Sequence, residues 1–170
     1  HHNPDSWEGW YWGGLHHWGH SLRVGMSENY GTVEDLLKHC EMIVFWSSNP
    51  EATSGNYGSH EGSIRRKWLK ELDIDYVHID PYYNDTAQFL GGKWLSPKPQ
   101  SDPALALAIA YVWITEELYD QEYVSKRTEG FDVWKSYVLG EDDGIPKTPE
   151  WQEKETGVGS KEIRALARAW

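Results

Sequence analysis

Five histidines, four tryptophans and two acids fall within the first twenty residues, HHNPDSWEGWYWGGLHHWGH. His16 and His20 are four apart and could share a helix face as zinc ligands, with His1, His2 and His17 close in sequence. Gly13, Gly14 and Gly19 weaken any helix there, and only Asp5 and Glu8 could add carboxylates. Asn3-Pro4-Asp5-Ser6 is equally an ordinary turn that the Ser6 hydroxyl would cap. Three other chemistries are absent: there is no G-x-S-x-G elbow, no H-E-x-x-H helix and no true phosphate loop. Gly157-Val158-Gly159-Ser160-Lys161 has the letters of such a loop in the wrong order, with no strand before it, and reads as a helix start.

A second group of polar residues follows two apolar runs. Ser47-Ser48-Asn49-Pro50 ends the run Met42 to Trp46, and Asp80-Pro81-Tyr82-Tyr83 ends the run beginning at Tyr76. In an open parallel sheet, ligands bind at the carboxyl ends of the strands, and an acid ending the second strand is placed to hold a ribose hydroxyl pair. Asp102 tops a long helix after a proline-containing turn, where it is either an N-cap or an acceptor for a ligand. These residues favour a nucleotide, although the G-x-G-x-x-G fingerprint is missing.

The elements that position them follow from periodicity. TVEDLLKHC reads as a short helix with Thr32 as N-cap, Asp35 three residues on, and Leu36 and Leu37 inward. MIVFW is the pattern of a strand buried on both faces. SHEGSIRRKWLKEL carries Ile64, Trp68, Leu69 and Leu72 at helical spacing, and YVHID is a second buried strand. Strand, helix, strand implies a βαβ unit in a parallel sheet. KWLSP adds a short extended piece. Asp102 as cap and Pro103 at the first helical position open the clearest helix, running to Trp113. Further helices are expected near residues 120–127 and 131–138, then a loop GEDDGIPKTPE, then a last helix with Ser160 as N-cap and Ile163, Leu166 and Ala167 inward. The fold class is therefore α/β, a partial doubly wound parallel sheet with flanking helices. Residues 1–31 form a loop region, and residues 32–170 an incomplete dinucleotide-binding domain. The chemically dense start and the uncapped end read as an internal fragment of a larger enzyme.

Composition narrows the partners. Eleven Trp and ten Tyr against three Phe favour aromatics with a polar handle, suited to pockets and interfaces. A net charge of −11 argues against nucleic-acid and anionic-membrane partners, which need basic patches. Arg65-Arg66-Lys67 is the one basic run and reads as a solvated helix face. Cys40 stands alone, excludes an internal disulfide, reads as a small core residue, and suits a reducing compartment such as the cytoplasm. Asn84-Asp85-Thr86 is a glycosylation triplet by chance.

In order along the chain, FWSSNPEAT, IDPYYNDTA, KWLSPKPQSDPALALAIAYVWITEELYDQEYV and TGVGSKEIRALARAW resemble the middle of molybdopterin oxidoreductases of the dimethyl sulfoxide reductase superfamily. HHNPDSWEGWYWG and GEDDGIPKTPEW narrow the resemblance to the large subunits of the pyrogallol–phloroglucinol transhydroxylase family. That resemblance implies molybdenum, or alternatively tungsten, held by bis-molybdopterin guanine dinucleotide, and hydroxyl transfer on a small polyphenol in an anaerobic, cytoplasmic enzyme. It implies Ser6 as metal ligand, Asp5 as acid/base and Trp7 as a stacking wall. It further implies cofactor contacts around Trp46, Ser47, Asn49, Asp80, Tyr82 and Asp102, with Asp80 at the ribose and Asp102 at the guanine edge. Cluster-binding cysteines are not in this stretch, and an iron–sulfur subunit is an implied partner. Two departures stand out. Tyr82 replaces the usual Arg after Asp-Pro, and Pro99-Gln100-Ser101-Asp102 replaces Pro-Gly-Thr-Asp. The alternatives are a reductase or dehydroxylase of the same superfamily, or a non-catalytic nucleotide-binding module.

Overall fold

The computed structural model describes residue 16, residues 38–52 and residues 67–170, and the chain divides into two compact units, His1–Cys40 and Glu41–Trp170. Asp5, Ser6, Trp7, the proposed cap Thr32 and most of the first two expected helices lie outside the described residues. His16 is helical and exposed, residues 38 and 39 are helical, and Cys40 is half-buried.

The second unit is built on three parallel strands in the order β1-β2-β3: β1 (Met42–Trp46), β2 (Asp75–Ile79) and β3 (Lys93–Leu95). Between β2 and β3 lies helix α1 (Asp85–Leu90). After β3 come α2 (Asp102–Thr115), α3 (Gln121–Arg127), α4 (Phe131–Leu139), α5 (Pro149–Thr156) and α6 (Ser160–Ala169). The period-two alternation of strands divides the sheet into two faces. Val77, Ile79 and Leu95, with Met42, Val44 and Trp46, pack against Leu105, Ile109 and Val112 of α2 and Ile163 and Leu166 of α6. Helix α2 is apolar all round because it meets the sheet on one side and α4, α5 and α6 on others. Helix α6 is amphipathic: Ile163, Leu166 and Ala167 are buried, while Arg164 and Arg168 make two-pronged bonds to Glu150 and Glu116. On the other face, Tyr76 donates to the Leu69 carbonyl at 2.5 Å, tying the helical residues 67–70 to β2.

Several expectations are corrected. Strand β1 is half-buried throughout, not buried on both faces, because among the described residues it pairs on one side only, with β2. Trp68 is 54 % exposed, since the helix ends at residue 70 and turns that indole outward. Asp102 is the first helical residue and Ser101 the N-cap, because Ala104 and Leu105 already donate to the Ser101 carbonyl. Gly159, not Ser160, caps α6 for the same reason, with Glu162 and Ile163 donating to its carbonyl. Helices α1 and α5 were not foreseen. Each has a side-chain N-cap, Asn84 accepting from Ala87 N and Thr148 from Trp151 N. Asn84 is buried and fully engaged, so the triplet it opens does not present a free amide.

His78 sits in the middle of β2, 1 % exposed and stacked on Phe45 at 5.2 Å. Its Nε2 lies 2.9 Å from the Gly91 carbonyl, so Nε2 carries the proton; Nδ1 has no partner among the described residues. Burial holds its pKa below the usual 6.5, against the opposing pull of the Gly91 bond and the Asp80 charge. A neutral form favoured by the fold means stability is complete above the unfolded value and falls as pH drops through it. Wild type should therefore lose denaturant resistance between neutral pH and pH ~5.5, and His78→Leu should lose less over that interval. Equal pH slopes in urea titrations would refute this.

Candidate functional site

Three segments meet at the carboxyl ends of the strands. Strand β1 runs into Ser47, whose N–H donates to the Ile79 carbonyl at 2.7 Å and whose φ of 48° is left-handed. A left-handed serine at a strand end is sparsely populated and persists where surrounding contacts fix it. Strand β2 runs into Asp80, whose N–H donates to the Leu95 carbonyl at 3.1 Å. The loop before α2 is fixed from behind: Lys98 N donates to the Thr156 carbonyl at 2.9 Å, Lys98 Nζ to the Lys154 carbonyl, and Ser101 Oγ to the Lys98 carbonyl at 2.6 Å. Behind it, Gln152 and Thr156 form a buried, satisfied pair at 2.6 Å, with Gln152 also donating to two carbonyls.

Six of the expected cofactor residues are brought together here. Trp46 Nε1 donates to Asp102 Oδ1 at 2.6 Å, and Ser47 Oγ makes a longer contact of 3.5 Å to the same oxygen. Asp80 is 6 % exposed, and its two oxygens accept from Tyr82 N at 3.2 Å and Asn84 Nδ2 at 3.0 Å. Asn49 is turned to α1, accepting from Thr86 N and Thr86 Oγ1 and donating to Asp85 Oδ2 at 3.2 Å. Tyr82 is 60 % exposed, its ring free to meet a ligand. Asp5, Ser6 and Trp7 lie outside the described residues, so the metal-ligand loop is not part of this geometry.

Sequence reasoning missed the hub. Asn84 donates to both Asp80 and the Ser48 carbonyl and caps α1 through Oδ1, joining the ends of β1 and β2 to a helix. Trp94 closes the turn from the other side, its Nε1 donating to the Asp80 carbonyl at 2.9 Å and its ring edge-on to Tyr83. The signal was present in Asn84 standing four residues after Asp80 and three before an alanine, the spacing of an Asn N-cap. A groove of about 720 Å³ lies at the opposite, amino ends of the strands, lined by Met42, Val77, Leu95 and Leu166, and is separate from this cluster. Among the described residues, no group of histidine, cysteine or acid side chains could hold a metal ion. No helix among them is long and apolar enough to cross a membrane.

No protein-family model matches the chain. It is 59 % identical over 169 residues to the pyrogallol hydroxytransferase large subunit of Pelobacter acidigallici, covering 99 % of this chain and 19 % of that protein. It is 34 % identical over 141 residues to a dimethyl sulfoxide/trimethylamine N-oxide reductase of Cereibacter sphaeroides, covering 79 % of this chain and 17 % of the reductase. The chain belongs to the dimethyl sulfoxide reductase superfamily. In solved structures its fold matches acetylene hydratase from Pelobacter acetylenicus at TM-score 0.58 and 24 % identity, over 75 % of this chain and 16 % of that one. The three-stranded parallel sheet with helices is thus a piece of a superfamily fold, and the chain spans about a fifth of the length of the relatives it matches.

Proposed function

We propose that this chain is a segment of a molybdenum enzyme that transfers hydroxyl groups on polyhydroxylated aromatics, and that its sheet holds one guanosine end of bis-molybdopterin guanine dinucleotide. The observation that carries the reading is the Trp46–Asp102–Asp80 cluster, lying at the strand ends in a chain 59 % identical to a pyrogallol hydroxytransferase segment. The donor set fits a nucleoside. Asp102 Oδ2 accepts from nothing among the described residues, and an ionised carboxylate is purely an acceptor, suited to the N–H groups of a guanine edge. Asp80 keeps lone pairs beyond its two internal bonds for ribose hydroxyls, and the Tyr82 ring stands open beside it. Among the described residues, Asp80, Asp85 and Asp102 accept from no lysine or arginine, so the described part of this site favours base and sugar over phosphate.

When bound, the cofactor supplies a redox metal, molybdenum or alternatively tungsten, at which a hydroxyl can be exchanged. Ser6 would be the oxygen donor to that metal, Asp5 would take and return the proton of a substrate phenol, and Trp7 would stack on the ring. The reductases at 34 % identity make reduction of another substrate the second reading. An iron–sulfur subunit and a cytoplasmic setting belong to the same proposal.

The test is full-length protein purified without oxygen, with metal measured by mass spectrometry and guanosine released by acid. About one metal and about two guanosines per chain are expected. Ser6→Ala should lose the metal, and Asp5→Asn should keep it while losing turnover. Protein that holds nucleotide but no metal would replace this proposal with a non-catalytic binding module.

A further inference from the structure

Asp102 begins α2, where an acid would usually turn back to the helix's own N–H groups. Its carboxylate does not do so. It accepts from two side chains at the end of β1: the Trp46 indole at 2.6 Å and the Ser47 hydroxyl at 3.5 Å, both on Oδ1. Both donors leave Oδ2 untouched. Trp46 is itself held: its backbone is in the β1–β2 ladder opposite Ile79, and its ring lies against Trp170 at 6.3 Å and packs on the core. Ser47 is locked in its left-handed conformation by the bond to Ile79 O.

We infer that Trp46 is the positioning residue of this site: by fixing Oδ1 it presents the Asp102 carboxylate edge-on to paired N–H donors, and so sets a preference for guanine over bases lacking the second donor. The inference rests on the nucleotide reading above and deepens it. A carboxylate free to rotate presents its two oxygens in any order, whereas one pinned through Oδ1 by a rigid indole turns Oδ2, and the Oδ1 lone pair that the long 3.5 Å Ser47 contact scarcely engages, toward two parallel N–H groups without further loss of freedom. Guanine offers such a pair, its ring N–H and its exocyclic amine. Hypoxanthine keeps the ring N–H and lacks the amine. The pinned carboxylate therefore distinguishes the two, and an unpinned one distinguishes them less.

The experiment compares guanosine diphosphate and inosine diphosphate by calorimetry on the cofactor-free full-length protein, in wild type and in Trp46→Phe, which keeps an aromatic ring and removes the N–H. Wild type should bind the guanine nucleotide about tenfold more tightly, and Trp46→Phe should bring the two within about twofold. A merely structural role for Trp46 would weaken both nucleotides together and leave their ratio intact; that result overturns the inference. Should the variant fail to fold, the indole N–H resonance of Trp46 in nitrogen-15-labelled wild type decides. It should move when guanosine diphosphate is added, and binding without a shift overturns the inference. Wild type that binds neither nucleotide overturns the nucleotide reading together with the inference. Wild type that prefers guanine while Trp46→Phe keeps that preference overturns the inference alone.

Discussion

Replacing Asn84 with alanine should lower the unfolding free energy by about 3 kcal/mol and abolish guanosine retention. The loss has two parts. Ala87 N loses its side-chain cap, which costs about 1 kcal/mol. The amide's donation to Asp80, a bond to a charged and 6 % exposed carboxylate, contributes about 2 kcal/mol more. The loss of function follows because Asn84 Nδ2 also donates to the Ser48 carbonyl at 3.3 Å, so one side chain sets both the β1 and the β2 turns. Asn84→Asp separates the two contributions. It preserves the capping acceptor but sets a second carboxylate against Asp80, and two carboxylates at that distance resist joint ionisation. That variant should be as unstable as the alanine at neutral pH and should recover relative to it as the pH falls. Urea titrations at two pH values check this; an Asn84→Ala midpoint within error of wild type would show that the hub carries no energy.

The candidate site was legible wherever its chemistry lay in contiguous residues. Ser47, Asn49, Asp80 and Asp102 each follow an apolar run or a proline turn, and the structure gathers all four at the carboxyl ends of the strands. What joins them was not legible. Trp46 and Asp102 are 56 positions apart and Asn49 and Thr86 are 37 apart, so their pairing depends on strand order and crossover, which periodicity leaves open. Helix α1 escaped notice because its six residues are too few to show a 3.6-residue period, and its one signal, the Asn84 cap, stood in a triplet read only as a chance glycosylation site. Helix α5 escaped because Thr148-Pro149 follows two glycines and another proline, which mark a loop until the cap is recognised.

Burial was the property least accessible to sequence. MIVFW and DYVHI are both apolar enough to be central, yet β2 is buried from Tyr76 onward and β1 is half-exposed. The difference is neighbours: β2 pairs on both sides and β1 on one among the described residues. Trp68 shows the same effect in a helix, where helical spacing pointed inward and the early helix end leaves the ring 54 % exposed. By contrast Ile163, Leu166 and Ala167 were correctly placed inside, because α6 has a polar side, occupied by Arg164 and Arg168, that can only face water.

Gly92→Ala should cost about 4 kcal/mol, close to the whole stability of a marginal domain, and should release nucleotide at temperatures where helices persist. Two causes add. Gly92 has φ +96°, a region that residues with a Cβ rarely enter. A Cβ placed there would also stand 2.3 Å from the Tyr76 carbonyl oxygen and 2.7 Å from the Tyr76 Cβ, atoms of β2 that cannot move aside. Gly130 provides the comparison: its φ is +77° with nothing among the described residues within 4 Å of the added carbon, so Gly130→Ala should cost only about 1 kcal/mol. The difference between the two variants is the energy of close approach between β3 and β2. That approach serves the site directly, because the paired strands bring Leu95 O to Asp80 N and Trp94 Nε1 to Asp80 O, 3.1 Å and 2.9 Å. Pushing β3 away opens the Asp80 turn before it unfolds α2 and α6, which share a core with the sheet but also pack on each other and on α5. Thermal melts followed by helical circular dichroism and by guanosine release should therefore coincide in Gly130→Ala and separate in Gly92→Ala. Coincident transitions in both variants would mean that the strand edge and the helical layer melt as one unit, and that the site draws no stability of its own from this contact.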